Sequence, residues 1–167
     1  MDLGTVANVV TASAAVIALV VGTGQLLHLR AERRERAAFE IVHATQTPEY
    51  IRSIMVVFAL PDAAGPEAIE AHPEARNSVD AVCITFEALG YAVFCRLVPL
   101  QLVEDLVGGA VRVTWRKVAA YASRCRLESG SQKTWEWVQW LAEQLERRRG
   151  ALDRIEGAHV KHREWTP

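Results

Sequence analysis

From Leu3 to Leu29 the chain runs for 27 residues, LGTVANVVTASAAVIALVVGTGQLLHL, without one Asp, Glu, Lys or Arg. A helix needs about 20 mostly apolar residues to cross the hydrocarbon core of a bilayer. Leu3 to Val21 supplies 19, and Gly22 to Leu29 would carry the helix into the headgroups. The polar residues inside (Asn8, Thr11, Ser13, Thr23) are small and uncharged, and hydroxyls can bond back to helix carbonyls. Residues 1–29 therefore read as a single transmembrane helix. Two other readings stay open. A buried helix of a soluble protein is rarely this long without a charge. A cleaved signal peptide would want a basic start and a shorter apolar stretch, whereas this chain opens Met1-Asp2 and offers only Ala12-Ser13-Ala14 as cleavage-like residues.

The flanks orient the span. No basic side chain precedes it, while Arg30, Arg33, Arg34 and Arg36 follow it. Lys and Arg near a span mark its cytoplasmic side, so the expectation is an inner-membrane, single-pass protein with its N-terminus outside and its body in the cytoplasm. Ala14, Ala18 and Gly22 recur at four-residue spacing, with Ala7, Thr11 and Ala15 beside them. Small residues at that spacing let two helix backbones approach closely, which makes this face a candidate contact for a homo-oligomer. The plain alternative is that Ala and Gly are common in such spans.

The remainder is one domain of ordinary size. Net charge is −1, with no global basic signal for nucleic acid. Three cysteines, Cys83, Cys95 and Cys125, form no CxxC or paired spacing, which fits reduced thiols in a cytosolic compartment. His159 and His162 lie in a polar tail without a nearby cysteine, so no metal or cofactor is expected. Charge divides along the chain: Glu49 to Asp105 holds nine acidic and three basic residues, Leu106 to Pro167 seven acidic and twelve basic. The two halves of the body are expected to attract one another. The rival reading puts Arg147, Arg148 and Arg149 against anionic headgroups.

The body reads as all-α, a cytosolic bundle of about four to five helices. The span is expected to continue as a juxtamembrane helix over 30–46, through Phe39, Ile41 and Val42. The helical domain is 47–148, and 149–167 is a loose tail. Thr47-Pro48-Glu49 has the pattern of a helix start, and Ile51, Ile54, Met55 and Phe58 then read as its core face. Helices are further expected over about 74–97, over 100–107 closed by Gly108-Gly109, over 110–127, and over 133–148. Gly90 lies within an apolar stripe, where its cost against Ala of about 1 kcal/mol points to the close approach of another helix. The apolar surface of the last helix, with Trp135, Trp137 and Trp140, is wider than one packing face needs.

Glu87 is the outstanding ionisable residue, set beside Phe86 and Gly90 where a carboxylate must be paired or pay for its burial. Arg116, Lys117 and Arg124 are its candidate partners. Those four residues form either a structural ion pair or a pocket that takes a ligand. Gly108-Gly109 ahead of Arg112 and Arg116 could hold an anion at a helix N-terminus, but lacks any phosphate-loop pattern. No GxSxG or comparable nucleophile signature occurs, so no catalytic residue is assigned, and core packing is the expected role of the five tryptophans.

As a set, Phe86-Glu87-x-Leu89-Gly90, Leu97-Val98-Pro99, Asp105, Gly108-Gly109, Trp115-x-Lys117, Tyr121, Arg124 and Trp135-Glu136-Trp137-x-x-Trp140-Leu141 resemble an uncharacterised family of small bacterial proteins with an N-terminal span and a helical domain. The Thr47-Pro48-Glu49 start is similar too. The resemblance covers the chain from the anchor to about residue 146 and implies an architecture but no activity. The expected function is a membrane-anchored helical interaction or regulatory module without catalysis, its partners being the lipid bilayer, another copy of itself or an unidentified protein. The alternative is a ligand-sensing or enzymatic helical domain built around Glu87 and the basic residues of 110–127.

Overall fold

The computed structural model describes residues 3–150 and 157–166, with side chains from residue 17 onward apart from 26, 27, 30, 31, 150, 158 and 161. Every regular element within them is a helix, in the order α1 (Leu3–Thr45), α2 (Pro48–Ala59), α3 (Pro66–Glu70), α4 (Pro73–Phe94), α5 (Leu100–Ser129), α6 (Glu136–Gly150) and α7 (Ala158–Lys161). The chain divides into two compact units, Met1–Glu40 and Ile41–Pro167.

In the first unit the apolar run and the arginines after it belong to one helix, unbroken as far as Thr45. Among the described residues no helix is long and apolar enough to cross a membrane. The side chains of residues 3–16, which hold half of the uncharged run, lie outside that description. Ala14 of the small-residue face falls there. Ala18 is exposed, Gly22 is half-exposed, and among the described residues a Cβ placed on Gly22 would meet nothing within 4 Å.

The second unit is a helical bundle organised around α4. That helix packs against α2, α3 and α6, and α5 packs on α6. Its buried stripe is Val79, Val82, Cys83, Phe86, Gly90 and Val93. Val57 and Tyr50 of α2, Ile69 of α3, Val103, Val111 and Val118 of α5 and Val138, Leu141 and Leu145 of α6 complete the core. Thr47 caps α2 as its pattern predicts, its hydroxyl accepting from the Tyr50 N–H at 3.1 Å. Gly130 closes α5 in the left-handed conformation (φ +63°), the position where a residue without Cβ costs least.

Three expectations are corrected. Gly108-Gly109 does not close a helix, because α5 runs straight through both. Arg112 reaches back two turns across them to Glu104, with two hydrogen bonds of 2.7 and 3.1 Å, and the buried apolar period from Val103 through Val111 to Val118 is kept. Packing and a bidentate ion pair thus outweigh two glycines at about 1 kcal/mol each. In α2 the buried face is Tyr50 and Val57, with Leu60 just beyond. Ile51, Met55 and Phe58 are 48, 64 and 37 % exposed. Both stripes are apolar, and α2 turns the tyrosine-bearing one inward, where Tyr50 meets Phe86 edge to face. The last helix also begins three residues later than expected, at Glu136, because Trp135 takes a left-handed backbone (φ +51°) that a helix cannot contain.

Candidate functional site

Three of the four polar residues singled out by the sequence, Glu87, Arg116 and Lys117, lie at two features of the second unit: the start of α6 and the turn after α2. At the first, Glu87 reaches from α4 to the N-terminus of α6, where Oε2 accepts from the backbone N–H groups of Trp137 (3.1 Å) and Val138 (3.0 Å). The first N–H groups of a helix have no partner within it. A carboxylate there satisfies two of them and lies against the positive end of the helix dipole. The cap therefore comes from another helix, 50 residues earlier in sequence.

Gly90, one turn beyond Glu87, makes that reach possible. A Cβ at Gly90 would overlap the Trp137 carbonyl oxygen and stand 3.0 Å from its carbonyl carbon. The backbone of α6 occupies the space that a side chain would take, so the glycine in the α4 stripe marks a close helix approach, as its position in the sequence suggested.

On the other side of the same N-terminus stands Arg126 of α5. It donates to the carbonyl oxygens of Thr134 (2.9 Å) and Trp135 (3.3 Å) and to the Gln139 side chain (2.6 Å), and its guanidinium lies 5.9 Å from the Trp115 ring centroid. These bonds hold Trp135 in its left-handed conformation, which costs a non-glycine residue about 1–2 kcal/mol. The Trp135 ring in turn contacts Tyr121. Sequence reasoning missed Arg126 as a functional residue. Its one signal was the spacing to Trp115, eleven residues or three helical turns away on the same face.

The expected partners of Glu87 lie elsewhere. Asp62, in the turn after α2, takes Lys117 at 2.9 Å and Arg116 at 3.1 Å. Lys117 is largely buried and also donates to the Leu60 carbonyl at 2.5 Å. The N–H groups of Ala63 and Ala64 donate to the carbonyls of Arg116 and Lys117 (2.9 and 2.8 Å), so this turn is clasped to the middle of α5 by side chains and backbone together. The Lys117 hydrogen bond, ahead of the other causes, holds the Asp62 carboxyl below its ordinary pKa. Arg124 pairs with Glu128 on its own helix at 2.6 Å. Glu87 is thus brought to a helix start, Arg116 and Lys117 to an aspartate, and Arg124 to neither. The pairs Asp62 with Arg116 and Lys117, and Glu104 with Arg112, join the acidic half of the body to the basic half.

A groove of about 360 Å³ opens between α5 and α6, lined in part by Arg112, Trp115, Arg116, Glu143, Glu146 and Arg149. Its charges largely cancel: Arg112 bonds Glu104 and lies 3.6 Å from Glu146, and Arg116 is held by Asp62. Cys83, fully buried beside Glu87 and Asp80, has its thiol pKa pushed up, first by burial and then by those two acids. A thiol in that state is a poor nucleophile. Among the described residues no group of three or more His, Cys, Asp or Glu side chains is placed to hold a metal ion.

Residues 9–145 match the model of a protein family described as a domain of unknown function (DUF4760). No curated protein and no solved structure matches the chain.

Proposed function

The chain belongs to the DUF4760 family, and from that premise we propose that it is a membrane-anchored helical module that binds a partner or regulates one, without catalysis of its own. The observation that carries the reading is the uncharged run from Leu3 to Leu29, helical throughout and followed at once by four arginines within seven residues. A run of that length and composition suits a bilayer better than water. The arginines favour an inner-membrane protein with its N-terminus outside and its helical body in the cytoplasm. The family resemblance to small bacterial proteins with one N-terminal span agrees with it. Ala14, Ala18 and Gly22 are the proposed contact between copies.

The non-catalytic part of the reading is supported by how the polar groups are used. Glu87 serves two backbone N–H groups, Arg126 two backbone carbonyls and Lys117 one. The alternative, a ligand-sensing or enzymatic domain around Glu87, would have to draw on Oε1, since both N–H bonds fall on Oε2.

The test is alkaline carbonate extraction of membranes from cells making the full chain, alongside Val20→Arg. Resistance to extraction for the natural chain, with release of the Val20→Arg variant into the soluble fraction, is the expected result. Complete extraction of the natural chain would overturn the anchor.

A further inference from the structure

The outer edge of α4 and α6 carries an aromatic surface that the bundle covers only in part. Trp137 and Trp140 of α6 are half-buried and touch one another, with ring centroids 6.0 Å apart. Phe94, near the end of α4, lies against both, at 4.8 and 5.9 Å, and Tyr91 lies against Trp137 at 5.4 Å. Tyr91 and Phe94 remain 52 and 55 % exposed, and Leu97 at the same helix end 69 %. Exposed apolar residues occur elsewhere on the bundle, Ile51 and Met55 of α2 among them, but here they are aromatic rings in mutual contact, the kind of continuous surface that suits a binding face.

The charges around it decide what it binds. On α5 and the loop after it, Arg112, Arg116, Lys117, Arg124 and Lys133 each sit against a carboxylate, and Arg126 is held instead by two carbonyls and the Gln139 amide. At the aromatic edge the pattern changes. Arg96, between Phe94 and Leu97, is exposed, and Arg147 and Arg148 continue the Trp137–Trp140 side of α6. Among the described residues none of the three is within ion-pair distance of a carboxylate. Arg147 instead donates to the Glu143 carbonyl, and Arg148 to the Gln101 side chain. The Gln144 amide lies beside Trp140 and Arg147, and with its oxygen turned toward them it can accept from the Trp140 indole N–H (3.1 Å) and from Arg147. Arg96 also holds a left-handed backbone (φ +60°) at the end of α4, where Leu97 N–H closes back on the Ala92 carbonyl. Glycine is the usual residue at that position, so an arginine there carries a conformational cost.

We propose that this edge is a docking surface for a bilayer that carries anionic lipid. Trp and Tyr settle at the level of the headgroups, and arginines beside them attract negative lipid. The inference rests on the anchor reading above, which supplies the proximity. Residues 30–40, eleven in number, continue α1 between the uncharged run and the start of the second unit, and as helix they rise roughly 16 Å. A domain tethered that closely meets the surface at high effective concentration, so a small patch suffices.

Cys95 lies exposed within the surface, between Phe94 and Arg96, and reports on it directly. The full chain, carrying Cys125→Ser so that the buried Cys83 is the only other thiol, is placed in nanodiscs of neutral phosphatidylcholine or of phosphatidylcholine with phosphatidylserine. The rate of Cys95 modification by a bulky, membrane-impermeant maleimide is then measured. The expected result is a rate about tenfold lower in the anionic discs, restored by high salt or by Arg96→Glu with Arg147→Glu and Arg148→Glu. Equal rates in the two discs would overturn the docking surface and leave the anchor intact. Failure to enter either disc would overturn the anchor and the docking surface together. Protection by soluble polyglutamate, without protection by phosphatidylserine, would overturn the lipid in favour of an acidic protein. The salt titration uses the arginines in place, so the result does not depend on the folding of the triple variant.

Discussion

Gly90 and Gly108 are both buried glycines inside long helices, and they do different work. At Gly90 the missing side chain is replaced by the backbone of α6, which is fixed by its own helix and by Glu87. At Gly108 the space is taken by the Glu104 carboxylate, whose Oε2 would stand 2.8 Å from a new Cβ. One glycine is filled by a rigid element and the other by the end of a flexible chain. The price of a methyl group should follow that difference rather than burial alone.

Gly90→Ala is the harshest test of the comparison. Alanine removes a helix-propensity cost of about 1 kcal/mol, but it must push α6 off α4, an overpacking cost of about 3 kcal/mol or more. Urea denaturation should show a net loss of about 2–3 kcal/mol, with the tryptophan fluorescence of α6 changed in the native state. A midpoint equal to that of the natural chain would mean that the two helices do not approach as described. Glu87→Ala comes next. Losing two charge-assisted cap bonds should cost about 2 kcal/mol, and Glu87→Gln, which keeps an acceptor oxygen, about half of that. Equal losses for the two variants would show that the charge matters and the acceptor does not.

Gly108→Ala sharpens the other side. The Glu104 side chain can swing aside, and the helix propensity gained offsets the strained ion pair, so the net change in stability should stay within about 1 kcal/mol. Tyr50→Phe is the mildest change. Among the described residues the Tyr50 hydroxyl is buried without a hydrogen-bond partner, and removing such a group is neutral or slightly stabilising. A clear loss of stability would reveal a partner for that oxygen.

The turn after α2 adds a pH signature. Asp62 has a lowered pKa in the folded chain, chiefly through its hydrogen bond from Lys117. Its contribution to stability is therefore complete above the ordinary carboxylate pKa of about 4 and is lost as pH falls through the lower folded value. The stability difference between the natural chain and Asp62→Asn should be present at pH 7, shrink below about pH 4 and vanish in stronger acid.

Local chemistry was readable from residues; partners were not. Thr47-Pro48-Glu49 announced a helix start because every atom of the cap lies within four residues. Glu87 stood out because an acid beside Phe86 and Gly90 needs a partner. That partner is a pair of backbone N–H groups, which carry no letter in a sequence, and the nearby cations drew attention in their place. Ile51, Met55 and Phe58 misled for a related reason: two apolar faces on one helix look alike until the neighbours choose between them. Gly108-Gly109 looked like punctuation because the ion pair that bridges them spans eight residues, twice the usual helix spacing. Arg126 gave no signal of its own because its targets are carbonyls, which every residue carries.

The cap on α6 also sets an order of assembly. A fifteen-residue helix is marginal in water by itself, and this one borrows its first hydrogen-bond acceptor from α4 and its left-handed entry from α5. Both lenders precede it along the chain and leave the ribosome first. When Glu136 to Gly150 emerges, the acceptor and the clamp have already been synthesised, so α6 has partners at hand instead of having to form alone.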